Sequence, residues 1–329
     1  MRFLPDKFIS TLILAIIVAS FLPVQGEAAH WFSLATKIAI GLLFFLHGAR
    51  LSRQAVVKGI VHWRLHLMVL CVTFALFPLI GVSLGWVIPG FSSSVFYAGI
   101  LFLCVLPSTV QSSIAFTAIA KGNVSAAIVS ASASNIIGMF LTPLLVGLLF
   151  ARQNDAGVSL DALLSILLQL LAPFIAGQIM QPWIGSFIRK HNKALGLVDR
   201  GSIVMVVYLA FSEAMVQGLW TEVSGHDLSI MIAVNVVLLA FILWFTGFSA
   251  KMLGFSREDR ITIIFCGTKK SLASGAPMAS VIFPAAMVGS VVLPLMIFHQ
   301  IQLMACAVLA RRYAAQASLI EGDAAEQGL

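Results

Sequence analysis

Runs of about twenty apolar residues recur along the whole chain, separated by short polar connections. At about 1.5 Å per helical residue such a run crosses the roughly 30 Å of hydrocarbon in a bilayer. Lipid offers no partner to an unpaired backbone group, so each run is expected to be a helix. We read ten spans, at 8–25, 31–49, 65–88, 95–120, 123–150, 159–181, 200–220, 227–250, 260–283 and 285–309. The expected fold class is an all-α polytopic membrane protein. Composition agrees, since only 10% of residues are charged, against about 25% in soluble domains. No stretch is long and polar enough for a separate soluble domain.

Charge placement supports that span count. With both termini in the cytoplasm, the inner segments carry sixteen basic residues, from Arg2 and Lys7 through Arg50, Arg53, Lys58 and Arg64 to Arg311 and Arg312, while the outer segments carry only Arg152. This is a strong positive-inside bias. The net charge of +7 is thereby explained by orientation against anionic lipid, and it gives no reason to expect a nucleic-acid partner. A rival reading makes the first 29 residues a signal peptide, with Arg2 and Lys7, an apolar stretch and then QGEAAH. Its removal would spoil the charge pattern. The four cysteines, Cys71, Cys104, Cys266 and Cys306, all fall in spans with no metal-site spacing, and read as small apolar residues.

The chain divides into two halves of five spans. Residues 1–150 form the first repeat, 151–188 hold the sixth helix, the polar stretch RKHNKALGLVDR at 189–200 is a cytoplasmic connection, 201–313 complete the second repeat, and 314–329 read as a flexible cytoplasmic tail. An odd number of spans per half makes the second half enter the membrane from the opposite side. That is the plan of an inverted-repeat transporter, whose sites lie near the midplane on interrupted helices.

The signature of interruption occurs once per half, at corresponding spans. In the fourth span, Pro107 precedes Ser108, Thr109, Gln111, Ser112 and Ser113; in the ninth, Gly267, Gly275 and Pro277 surround Thr268, Lys269, Lys270, Ser271 and Ser274. Ser and Thr can also bond back to their own helix or allow close packing, so either cluster alone is a weak sign. Two at matching positions point to a functional break, where half-helix ends present unpaired N–H and C=O groups.

The segments FALFP at 74–78, LPSTVQSS at 106–113 running into AKGNVSAAIVSASASN, and GFSAKMLGFSREDRITIIFCGTKKSLASGAPMA at 247–279 resemble the bile acid:sodium symporter family, in its SBF-like branch. The resemblance covers nearly the whole chain. It implies a core domain in which the fourth and ninth spans cross at their broken midpoints, a panel domain that moves against it, and an anionic amphipathic solute. Sodium coupling is implied only for the best-understood branch. Where that branch has Ser-Asn after the first break, this chain has Ser112–Ser113; where it has Gln before Phe-Ala-x-x-Pro, this chain has Thr73. The branch's Glu in the ninth span falls on Ile264 or Phe265, and its Gln-Asn on Thr268 to Lys270. Each departure removes a cation ligand, so two sodium ions bound in that manner are not expected.

A charged lysine inside a membrane costs on the order of 3 kcal/mol and normally faces a cavity or a partner. An ammonium at the crossing could take the place of a sodium ion, exchange a proton, or face a substrate anion. Adjacent helical residues point about 100° apart, so Lys269 and Lys270 can divide these roles. Both could instead snorkel towards Arg257 and Arg260. Glu213, the one acid placed away from the ends of a span, could pair with a lysine or relay protons, or be solvated near the outer surface. Lys37 reads as snorkelling outward, and His299 and Gln300 as cavity-lining candidates or a satisfied buried pair. Ser130, Ser132, Ser134 and Asn135 lie close to where the resemblance places further ion ligands, and Ser130 and Ser134 share one helix face.

No catalytic motif is present, and Lys270–Ser271 diverge too far on a helix to act as a dyad, so no enzyme is expected. The expected function is secondary transport of an organic anion or amphipathic solute across a bacterial inner membrane. The alternatives are a non-transporting regulator with the same fold and an ordinary sodium symporter. Candidate site residues are Thr73, Gln111, Ser112, Ser113, Ser130, Ser134, Asn135, Glu213, Thr268, Lys269, Lys270 and Ser271. No cofactor or bound metal is expected, sodium is left open, and the expected partners are a small organic anion and membrane lipid.

Overall fold

The computed structural model describes residues 7–50, 62–94, 96–150, 160–218 and 224–326. Arg2, Arg53, Lys58 and Arg152, which contribute to the charge bias, lie outside them. The described helices are α1 (Lys7–Phe21), α2 (Gly26–Arg50), α3 (Trp63–Val87), α4 (Tyr97–Val105), α5 (Gln111–Ile119), α6 (Val124–Phe150), α7 (Leu160–Lys190), α8 (Asn192–Val216), α9 (Gly225–Met252), α10 (Arg257–Gly267), α11 (Leu272–Ile282) and α12 (Ala285–Glu326). No strand occurs among the described residues. Seven helices, α2, α3, α6, α7, α8, α9 and α12, are long and apolar enough to cross a membrane. Large apolar side chains stand on their outer faces, with Trp86 81% and Trp183 74% exposed. In water such a surface would be a liability; against lipid it is the ordinary outer face.

Two of the expected spans are broken. Pro107 has no N–H to continue α4 and biases the preceding residue away from the helix; Leu106 is accordingly extended, with ψ 152°. The chain resumes its helix at Gln111. In the second half α10 ends at Gly267, and α11 begins after Ser271, whose hydroxyl caps it by accepting from the Ser274 N–H at 3.1 Å. Gly275 has a different role from the one its position near the break suggests. A Cβ there would stand 2.5 Å from a Leu106 methyl, and one at Gly138 would stand 2.6 Å from Pro107. Both glycines leave room for the first break.

α2 packs on α7 and α8, and α1 on α8; the half-helices α4, α5 and α10 pack among α3, α6, α9 and α12, while α11 packs on both α8 and α12, and α8 also on α12. α2 and α7 touch through backbone: a Cβ on Gly48 would overlap the Phe174 carbonyl, and one on Gly177 the Phe45 carbonyl. Small residues permitting such approach are a common means of joining helices in lipid. The stretch 189–200, expected to be a connection, takes helical form. It is helical on both sides of His191, where α7 gives way to α8, and Arg50 of α2 donates to Asp199 of α8 at 2.5 Å. That pairing holds the polar stretch against α2, so it extends the helix. α12 likewise runs on through Glu326, into the stretch read as a tail.

Candidate functional site

Lys270 lies in the second break and is wholly buried. Its Nζ donates to three backbone carbonyls, of Thr73 at 2.8 Å, Cys104 at 2.9 Å and Leu106 at 2.8 Å. It also stands 4.0 Å from the centre of the Phe77 ring. Three acceptors match the three N–H bonds of an ammonium, and the ring face adds a cation–π contact.

Each acceptor is available because its own helix does not use it. α3 widens to a π-turn over Val72–Leu76, so the Phe77 N–H bonds to Val72 and not to Thr73. The next donor would be residue 78, which is proline. The Thr73 carbonyl is therefore left to Lys270. Cys104 would ordinarily receive the Ser108 N–H, but that group donates to the Ser134 hydroxyl at 3.0 Å. Leu106 lies past the end of α4, in the extended break.

The remaining carbonyls of the first break are satisfied one by one. Val105 accepts from Thr142 Oγ1 at 2.8 Å, Pro107 from the Ser271 N–H at 2.9 Å, and Ser108 from Asn135 Nδ2 at 2.7 Å. In the other direction, Ser113 Oγ donates to Phe265 at 2.9 Å and Ser108 Oγ to Cys266 at 2.5 Å. Asn135 Oδ1 accepts from Ser274 Oγ at 2.8 Å, so α6 bridges both breaks. The half-helices thus cross with these backbone groups paired, as burial requires.

Gln302 of α12, also fully buried, holds the Lys270 peptide from behind. Its Oε1 accepts the Lys270 N–H at 2.9 Å, and its Nε2 donates to the Lys270 carbonyl at 3.0 Å while lying 2.9 Å from His299 Nδ1. Lys269 turns the other way. Its Nζ is 3.8 Å from the Phe116 ring centre and has no hydrogen-bond partner, although the residue is 0% exposed.

A cavity of about 450 Å³ lies beside the contact of α8 with α11 and α12. α2, α7 and α8 line one side and α11 and α12 the other, and its charged lining residues are Lys37 and Glu213.

Known proteins match this sequence over nearly its whole length. Residues 6–315 fit the model of the SBF-like CPA transporter family. The chain belongs to that family. It is 56% identical to an uncharacterized Pseudomonas aeruginosa protein over 95% of this chain and 94% of the relative. Identity to YfeH of Escherichia coli strain K12, named as a candidate symporter, is 51% over 97% and 96%. Sodium/bile acid cotransporter 7-B of Xenopus laevis is 27% identical over 94% and 91%. The family is one of transporters and not of enzymes.

In this SBF-like transporter the anticipated residues are only partly together. Ser113, Ser134, Asn135, Lys270 and Ser271 meet at the crossing, with Ser112 joined to it through Thr109 at 2.8 Å. Thr73 is there through its carbonyl; its hydroxyl bonds to Val69 of its own helix, as the Thr268 hydroxyl does to Ile264. Gln111 is exposed, Ser130 is turned to His66 Nδ1 at 2.6 Å, and Glu213 lies in the cavity. Several participants were not anticipated, among them Gln302, Phe77 and the carbonyls of Cys104 and Leu106. Gln302 carries no sequence mark beyond being polar in a span, whereas Pro78 next to the FALF turn could have indicated the widened helix.

Proposed function

We propose that the chain is a secondary transporter of the bacterial inner membrane, carrying an organic anion or amphipathic solute by alternating access. Counting each broken pair as one crossing and α1 as another brings the seven long helices to ten. That count supports two inverted five-helix repeats with both termini in the cytoplasm. The half-helices with α3, α6, α9 and α12 then form the core, α1, α2, α7 and α8 the panel, and the cavity between them receives the solute. In this reading Lys270 Nζ stands where a coupling sodium ion stands in the sodium-dependent branch. The observation that carries this is the cage of three backbone carbonyls, ligands suited to a hard cation.

Thermal stability in detergent, in sodium against potassium chloride at equal ionic strength, tests it. A ligand that binds the folded state raises stability by mass action. The native protein should respond equally to the two salts, and Lys270→Ala should gain stability from sodium alone. Sodium-specific stabilisation of the native protein would identify an ordinary sodium symporter and remove the ion-substitute role.

A further inference from the structure

Neither lysine of the crossing reaches the cavity. Lys270 spends its three N–H bonds on carbonyls, and Lys269 is packed against Phe116. The charged side chains that line the cavity are Lys37, on α2, and Glu213, on α8. They are not paired with one another: the ion pair among the described residues joins Arg50 and Asp199. Lys37 is exposed and Glu213 half-buried, so both charges are open to a solute entering the cavity. Two opposite charges that share a cavity without pairing present two separate docking points.

Resting on the reading of this cavity as the solute site, we infer that it takes an amphipathic zwitterion, whose anionic end meets Lys37 and whose cationic end meets Glu213. A simple anion would leave Glu213 facing it, and like charges brought close together repel. A simple cation would face Lys37 with the same penalty. Ile40, Val206 and Val288 supply apolar lining for the body of the solute, and the cavity is of the size that holds small ligands.

Tryptophan, tryptamine and indole-3-propionate share one ring system and differ in charge, which makes them suitable probes. Ser280 lines the cavity, and Cys104, Cys266 and Cys306 are buried, so Ser280→Cys in a Cys71→Ala background gives a thiol whose labelling reports occupancy. Tryptophan should slow labelling at concentrations about tenfold below those needed for the other two, the ratio for one well-made charge contact. Lys37→Gln should turn the preference towards tryptamine, and Glu213→Gln towards indole-3-propionate. Glu213→Gln is isosteric and Lys37→Gln shortens the side chain by one atom, and a monodisperse elution profile shows that the variants are folded. Indole-3-propionate as the best protector of the unaltered pair would overturn the zwitterion and leave an anion transporter standing. Protection by none of the three would overturn the inference together with the cavity's role. The sodium test on Lys270 is independent of all these outcomes.

Discussion

The crossing of α4–α5 with α10–α11 and the contact of α2 with α7 meet one need, joining helices where lipid offers no hydrophobic drive, by opposite means. The crossing is held by directed hydrogen bonds, each acceptor matched to one donor from another segment. The α2–α7 pair is held by the absence of side chains at Gly48 and Gly177, which lets two backbones touch. Directed bonds fix orientation as well as distance; bare backbone contact fixes distance only. The first kind of contact fixes the crossing of the breaks, and the second joins two neighbouring helices.

Perturbing each side separates the two modes. The largest effect is expected for Lys270→Ala, which leaves three buried carbonyls without their donor at about 1–3 kcal/mol each. A thermal midpoint near that of the native protein would show that the ammonium is not what holds the crossing. Gly177→Val forces a side chain into the Phe45 carbonyl and should cost about 1–3 kcal/mol, or more if the helices separate. Because the two sites share no partner, the double variant should lose the sum to within about 0.5 kcal/mol. Marked departure from additivity would mean that the two regions are mechanically one.

Asn135→Ala removes the bridge between the breaks and strands the Ser108 carbonyl, for an expected loss of about 1–3 kcal/mol in the same assay. Lys269→Met should have the smallest effect and the opposite sign. It exchanges a buried ammonium without a hydrogen bond for an apolar side chain of similar length, and should raise stability by up to about 1 kcal/mol. If its stability rises while flux is lost, Lys269 serves the transport cycle and not the fold.

Much of the fold was legible because lipid restricts what an apolar run can become. The breaks were legible because Pro107 and Gly267, each beside small hydroxyl residues, are poor choices for an unbroken helix. The site was harder to read. Its principal ligands to Lys270 are backbone carbonyls, which every residue possesses, so nothing at Cys104 or Leu106 marks them. Thr73 was chosen for a hydroxyl that turns back to Val69, while its carbonyl does the binding. Ser130 looked equivalent to Ser134 by helix face, yet the approach of α3 gives it to His66. The helical course of 189–200 was obscured by its charges, one of which, Asp199, is spent on Arg50.

The carbonyls that enclose Lys270 belong to residues 164 to 197 positions earlier in the chain. During synthesis, the first half therefore enters the bilayer with acceptors whose donor has not yet been translated. Closure of the cage is accordingly a late step that joins the two halves, and a chain truncated before residue 270 would lack the donor for all three carbonyls.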